Sequence, residues 1–204
     1  APVDFSGQRI AVIGTGSSGI QAIPVLAREA AHVTVFQRTA NYSLPARNET
    51  MRAEYEGEWK DEYRARRMEM RYTPQGALKD SNDESALSVD ETRRQSVFEE
   101  RWETGGASLL GAFNDLMTNQ AANDTAAEFV REKIRSIVKD AKTAEILCPD
   151  DHPIGTKRIC IDSGYYETFN RDNVSLVNLR RTPIETITDK GIKTMEGERE
   201  FDAI

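Results

Sequence analysis

Histidine and cysteine are scarce in this 204-residue sequence: two of each, His32 and His152, Cys148 and Cys160. With so few imidazoles a histidine-centred hydrolase is hard to assemble, and both rings read as structural or exposed rather than catalytic. The cysteines have neither zinc-site nor redox-motif spacing, which predicts no metal centre and a reduced, cytoplasmic protein. No apolar run is long enough to span a bilayer, and no charged-then-apolar leader opens the chain. A basic excess is also missing. The formal net charge is −7, which argues against nucleic acid or an anionic membrane as the main partner. Internal repeats and low-complexity tracts are absent. The length suits one domain with a real core, or a domain plus a sizeable insertion. Ala1-Pro2-Val3-Asp4 reads as the middle of a longer polypeptide.

What is present is unevenly distributed. Residues 1–45 carry only Asp4, Arg9, Arg28, Glu29 and Arg38 as charged side chains, whereas residues 51–100 are dense with charge. The first block is an apolar α/β unit. Ile10-Ala11-Val12-Ile13 is a short continuous apolar run ending in glycines, as a buried parallel strand requires. Residues 18–31 place Ile20, Ile23, Leu26 and Ala27 at helical spacing. Pro24 is the irregularity, since a first turn tolerates proline better than a helix interior does. His32-Val33-Thr34-Val35-Phe36 is β-branched and reads as a second strand. Strand, glycine turn, helix and strand form a βαβ unit.

Residues 46–147 predict a mostly helical segment, too long for a single crossover helix and therefore a helical insertion. Residues 54–71 are charged and helical, a loop surrounds Thr73-Pro74-Gln75-Gly76, and a helix over 90–102 stops at Gly105-Gly106. Leu109, Leu110, Phe113, Leu116 and Met117 form an apolar stripe. Thr125 and Glu128 have capping-box spacing ahead of Phe129, Val130, Ile134, Ile137 and Val138, and residues 141–147 give a last short helix before Pro149. Strands then return at Arg158-Ile159-Cys160-Ile161 and Val174-Ser175-Leu176-Val177, with Ser163 as a candidate cap for a short helix through Tyr165, Tyr166 and Phe169. Ile184 to Thr194 reads as a hairpin turning at Asp189-Lys190-Gly191. Glu200-Phe201-Asp202-Ala203-Ile204 opens a further strand. The expected fold is α/β: a Rossmann-like three-layer dinucleotide-binding domain with a central mostly parallel sheet, a β-meander or hairpin, and a large helical insertion. Its boundaries are 1–45 and 148–204 for the sheet domain and 46–147 for the insertion.

The glycine turn GTGSSG carries the chemistry. Gly14 permits the sharp exit from the strand, Gly16 lets a pyrophosphate approach the backbone, and Gly19 lets helix and sheet pack closely. The helix N-terminus offers unpaired N–H groups and partial positive charge, and Thr15, Ser17 and Ser18 add hydroxyls. A lone GxGxxG is weak evidence, but the strand, helix and second strand around it favour a dinucleotide site. NAD-binding domains usually end the second strand in Asp or Glu, which accepts from the ribose 2′-OH. Gln37-Arg38-Thr39 stands here instead. Loss of the carboxylate and gain of a guanidinium favour NADP over NAD; the competing reading is a solvent-facing Arg38 that touches nothing. The Tyr and Lys pair of short-chain dehydrogenases is absent, because Phe169 and Asn170 follow Tyr165 and Tyr166 at that offset.

The segments GQRIAVIGTGSSGIQAIP, VTVFQRTANYSLPARN, GTKRICIDSGYYETFNRDNVSLV and PIETIT, with WETGG and ANDTAAEFVREKIRSIVKD between them, resemble the NADPH-binding domain of flavin-dependent Baeyer–Villiger monooxygenases of the cyclohexanone and phenylacetone type. The resemblance runs through essentially the whole chain. In that family the NADPH domain is inserted into an FAD domain, and a Phe-x-Gly-x3-His-x3-Trp fingerprint lies just upstream of a segment like Asp4-Phe5-Ser6-Gly7. Neither the fingerprint nor the downstream Ala-Thr-Gly segment is present, so the expectation is an excised inner domain, inactive by itself, whose partner is the FAD domain of the same polypeptide. The resemblance implies that residues 14–19 hold the NADP(H) pyrophosphate, that Gln21 is among the cofactor-binding residues, and that Arg38, Thr39 and Lys157 hold the 2′-phosphate. Arg158 resembles the active-site arginine that stabilises the oxygenated flavin and contacts nicotinamide. The implied reaction oxidises a ketone to an ester or lactone with NADPH and O2. For Lys157-Arg158 the plain alternative is a basic pair at a strand edge. For Tyr165-Tyr166 core packing or a surface role is the better reading, and for the charged helices a solvated face. Competing functions are a flavin-containing or N-hydroxylating monooxygenase and a non-enzymatic NADP-binding module.

Overall fold

A computed structural model describes residues 3–73, 76, 78 and 82–204; Pro74 and Gln75 of the expected loop lie outside the described residues. Its centre is a parallel sheet in the order β1-β2-β5, from Arg9–Ile13, His32–Gln37 and Val174–Asn178. Ile10 pairs with Val33 and Val35 with Leu176, which sets the register. Side chains alternate across the sheet as the pleat demands. Ile10, Val33 and Val35 join the main core, while Ala11, Phe36 and Val177 face a second, smaller one.

Helix α1 (Ser17–Glu29) follows the glycine turn and covers the first face with Ile20, Ile23 and Ala27. The antiparallel meander of β6 (Ile184–Ile187), β7 (Gly191–Thr194) and β8 (Gly197–Glu200) contributes Ile192 to the opposite face, with Phe201 edge-on to Phe36 at 5.8 Å. The result is a three-layer, Rossmann-like α/β fold. A separate parallel pair, β3 (Ser43–Pro45) with β4 (Cys160–Asp162), extends the scaffold beside it.

Between β3 and β4 run α2 (Ala53–Asp61), α3 (Tyr63–Met70), α4 (Glu91–Thr104), α5 (Gln120–Ile137) and α6 (Ala141–Leu147); α7 (Tyr165–Thr168) follows β4. Neither α2 nor α3 buries a residue, as their dense charge leads one to expect. By contrast α4 and α5 are amphipathic and pack Phe98 against Phe113 and Phe129, ring centroids 5.4 and 5.3 Å apart. These aromatics share one continuous core with the sheet residues. At the end of α4, Gly105 takes a φ of +76°, and a Cβ there would meet the Arg47 side chain at 2.5 Å and the Pro45 carbonyl oxygen at 2.8 Å. Only glycine closes this helix at that distance.

Several local expectations are corrected. Pro24 sits well inside α1, buried alongside Ile20, Ile23 and Ala27; packing offsets the hydrogen bond that proline does not donate. Thr125 does not start a helix. Asn119 caps α5 by accepting from the Ala121 and Ala122 amides, and the Thr125 hydroxyl donates back to the Ala122 carbonyl from within the helix. The apolar stripe at 109–117 is a short 3-10 turn (Ser108–Gly111) and irregular chain, with Met117 exposed. Asp162, not Ser163, supplies the oxygen that caps α7, accepting from the Gly164 and Tyr165 amides. Arg158 precedes β4 rather than opening it. The last strand ends at Glu200, after which Ala203 makes a single parallel bridge to Ile10 at the free edge of β1.

Candidate dinucleotide site

At the carboxyl end of β1 the chain must leave a buried strand and enter a helix within three residues. Gly14 does so with φ +103°, its amide donating to the Phe36 carbonyl at 2.9 Å. A Cβ on Gly19 would collide with the Gly14 carbonyl oxygen, whereas a Cβ on Gly16 would meet open space. The two glycines therefore have different reasons. Gly19 sets the closeness of helix and strand, and Gly16 borders the volume in front of the helix. Helix α1 begins with no side-chain cap and no acidic residue in its first turn. Its amide end is left to an anion, where the unpaired N–H groups and the macrodipole favour negative charge.

A cavity of about 370 Å³ opens there, lined by Gly14, Thr15, Gly16, Arg38, Thr39 and Lys157, with Ala40 and Asn41 beside them and Ile13, Phe36 and Leu179 as the apolar part. Six of the expected site residues thus meet although Lys157 is far away in the chain. The Thr15 hydroxyl donates to the Thr39 carbonyl at 3.0 Å, tying the glycine loop to the end of β2. Gln37 is buried, and its amide donates to the Ile146 carbonyl at 2.7 Å. The side chain presented to the cavity from this strand end is Arg38, which is exposed. Among the described residues neither Arg38 nor Lys157 has a carboxylate within 4 Å.

Other expected residues fall outside the lining. Ser17 sits against the Cys160 thiol at 3.4 Å, Gln21 donates to the Ile161 carbonyl at 3.0 Å, and Ser18 is exposed on the first turn of α1. Arg158 is exposed next to Lys157, outside the cavity lining and without an ion pair among the described residues. Gly19 acts through packing.

Two supporting residues were not legible in the sequence. Asn41 lines the cavity and donates to the Cys160 Sγ at 3.2 Å, so one buried thiol lies between the glycine loop and the strand end. The Tyr166 hydroxyl accepts from the Ser43 amide at 3.2 Å and donates to the Asn41 carbonyl at 3.4 Å. Tyr165 and Tyr166 are buried, so of the two expected roles core packing holds and a surface role does not, and burial pushes both phenols upward. His32 pairs with the Ser175 hydroxyl at 3.0 Å. His152 is nine-tenths buried, its Nδ1 2.5 Å from an Asp151 oxygen. That hydrogen bond, with Lys157 and Arg180 nearby, holds the Asp151 carboxyl below the usual carboxylate range. Among the described residues no His, Cys, Asp and Glu cluster could hold a metal, and no helix is long and apolar enough to cross a membrane.

No protein-family model matches the chain. It is 42% identical to the cyclohexanone 1,2-monooxygenase of an Acinetobacter species over 96% of this chain and 36% of that protein. It is 41% identical to the phenazine N-monooxygenase PhzNO1 of Lysobacter antibioticus, over 96% of this chain and 37% of that protein. Among solved structures, an oxidized steroid monooxygenase bound to NADP superposes with a TM-score of 0.93 at 50% identity, over 99% of this chain and 39% of the other. OTEMO in complex with FAD and NADP gives 0.95 at 39% identity, over 98% and 38%. In sequence and fold the chain is similar to a segment of Baeyer–Villiger monooxygenases, including structures solved with FAD and NADP bound, and it spans little more than a third of their length.

Proposed function

We propose that this chain is the NADP(H)-binding portion of an FAD-dependent Baeyer–Villiger monooxygenase that converts ketones to esters or lactones with NADPH and O2. One observation carries the reading. Two cations from distant parts of the chain, Arg38 and Lys157, flank an uncapped helix N-terminus in one cavity, and among the described residues neither forms an ion pair. In a chain of net charge −7 such a concentration of unpaired positive charge calls for an anionic ligand. The residues fit NADP(H): the α1 amides and Gly16 suit the pyrophosphate, and Arg38 with Lys157 suits the 2′-phosphate. Arg38 offers the bidentate fork that phosphate accepts. Ile13, Phe36 and Leu179 supply an apolar surface of the kind a base requires.

When bound, NADPH supplies hydride and the flavin carries the oxygen chemistry. This chain's own part is to hold the nucleotide in one orientation and register. We assign Arg158, exposed beside Lys157, to face the flavin and substrate, where a fixed guanidinium stabilises developing negative charge. FAD and the ketone pocket belong, in this reading, to flanking polypeptide, with 1–45 and 148–204 forming the nucleotide domain and 46–147 an insertion in it. The buried free thiols Cys148 and Cys160 accord with a cytoplasmic location. The likeness to a phenazine N-monooxygenase supports a second reading, in which the oxygen acceptor is a ring nitrogen.

The test is calorimetric titration of NADP and NAD into the wild-type chain, Arg38→Ala and Lys157→Ala. The wild type is expected to prefer NADP, and each substitution to weaken NADP by about tenfold or more while sparing NAD. Equal affinity of the wild type for both nucleotides overturns the 2′-phosphate assignment. In an enzyme carrying its flavin, product analysis with a cyclic ketone against a phenazine separates the two readings.

A further inference from the structure

Lys157 reaches the cavity from a loop that also carries two carboxylates, and this raises an electrostatic difficulty. Asp151 lies close enough to Lys157 for the ammonium to depress its carboxyl. A carboxylate so placed would be expected to take Lys157 for itself and cancel the charge that a phosphate needs. In the structure it does not. One Asp151 oxygen is held by the His152 ring at Nδ1, 2.5 Å away, and the other is taken by Arg180 Nη2. Arg180 also binds Asp150, Nη1 to Oδ1 at 3.1 Å.

Arg180 is well placed for this. It follows Leu179, whose amide donates to the Gln37 carbonyl at 2.8 Å and whose side chain lines the cavity. The other side of the Asp151 loop is equally fixed. Asn123 of α5 is buried and donates to the Ile154 carbonyl at 2.8 Å while accepting from its amide at 3.1 Å. His152 stands edge-on to Tyr42 at 5.3 Å, so its ring has little freedom to turn. With both carboxylate oxygens occupied, the Lys157 ammonium makes no ion pair among the described residues and lies 3.5 Å from His152 Nδ1.

We propose that Arg180 is a positioning residue for nucleotide selectivity: it occupies the Asp151 carboxylate and so leaves Lys157 free for the 2′-phosphate of NADP. The inference rests on the 2′-phosphate reading above and goes beyond it. Arg180 lies outside the cavity lining, and its effect passes through Asp151 to Lys157. Removing Arg180 turns Asp151 into a competitor for Lys157. Removing the Asp151 charge at the same time abolishes the competition.

The experiment measures NADP and NAD affinity by calorimetry in the wild-type chain, Arg180→Ala, Arg180→Ala/Asp151→Asn and Arg180→Ala/Asp150→Asn, with melting temperature recorded for each. Arg180→Ala should weaken NADP roughly threefold to fivefold, the scale of one exposed ion pair, and leave NAD unchanged. Asp151→Asn should restore most of the NADP affinity, because asparagine still accepts from His152 but carries no charge. Asp150→Asn restores the same net charge and should not rescue. The proposal fails if Arg180→Ala leaves NADP binding intact, if NADP and NAD weaken together, if Asp151→Asn gives no rescue, or if both double variants recover alike. Loss of NADP preference in the wild type itself overturns the underlying reading, whereas preserved preference with no Arg180 effect overturns only this inference.

Discussion

Gly16 and Gly19 are three residues apart in one motif, yet the structure gives them opposite expected responses to alanine. At Gly19 an added Cβ falls against the Gly14 carbonyl oxygen, with the Gly14 carbonyl carbon at 3.4 Å and Val12 Cγ1 at 4.0 Å. The nearest obstacles are backbone atoms of the strand end, which do not rotate away as a side-chain tip would. Helix α1 has to lift from β1, carrying Ile20 and Ile23 out of contact with the sheet. Overpacking of this kind costs about 1–3 kcal/mol. At Gly16 the backbone is already extended, with φ −83° and ψ −177°, and an added Cβ meets no protein atom. The poorer cap that alanine makes is offset by its smaller unfolded-state entropy, so stability should change by less than about 0.5 kcal/mol. The methyl group does, however, enter the space in front of the amides. Chemical denaturation and NADP titration on the two variants read the difference. Gly19→Ala should lose stability, and Gly16→Ala should keep stability but bind NADP at least about tenfold more weakly, the loss of one charge-assisted contact. A Gly19→Ala chain as stable as the wild type, or a Gly16→Ala chain with unchanged NADP affinity, would refute the assignment of packing to one glycine and ligand approach to the other.

Two further outcomes follow from the scaffold. Asn123→Ala should destabilise the chain by about 3 kcal/mol, since it orphans the Ile154 amide and carbonyl and the Leu116 carbonyl in a buried site; urea denaturation measures it, and a loss below about 1 kcal/mol contradicts the three-bond anchor. Burial pushes the Cys148 thiol up to about 11 from an ordinary 9.0. The unfolded chain therefore releases this proton first, and its contribution to stability is present below pH 9 and lost as pH rises towards 11. Denaturation midpoints of the wild type and Cys148→Ala across pH 8–11 should converge with rising pH; parallel curves would count against it.

The βαβ unit was legible because its cues are local. An apolar run, glycines at fixed offsets and β-branched residues dictate strand, turn, helix and strand without reference to distant chain, and Arg9–Ile13, Ser17–Glu29 and His32–Gln37 follow. The same holds for the hairpin at Gly191 and the glycine stop at Gly105. Helix starts were less legible, because Asn119 and Thr125 are both good caps and only the packing of Ala122 and Ala126 into the core selects the earlier one. Composition and motif alone pointed to a dinucleotide and, through the Arg38 position, to a 2′-phosphate. Which residues share a cavity was a tertiary matter. Lys157 meets Arg38 because β3 and β4 pair across the helical segment and Asn123 with Arg180 pins the intervening loop. The arrangement of Asp151, Arg180 and Lys157 has no sequence signature, since which of two cations occupies a carboxylate depends on distances that only folding sets.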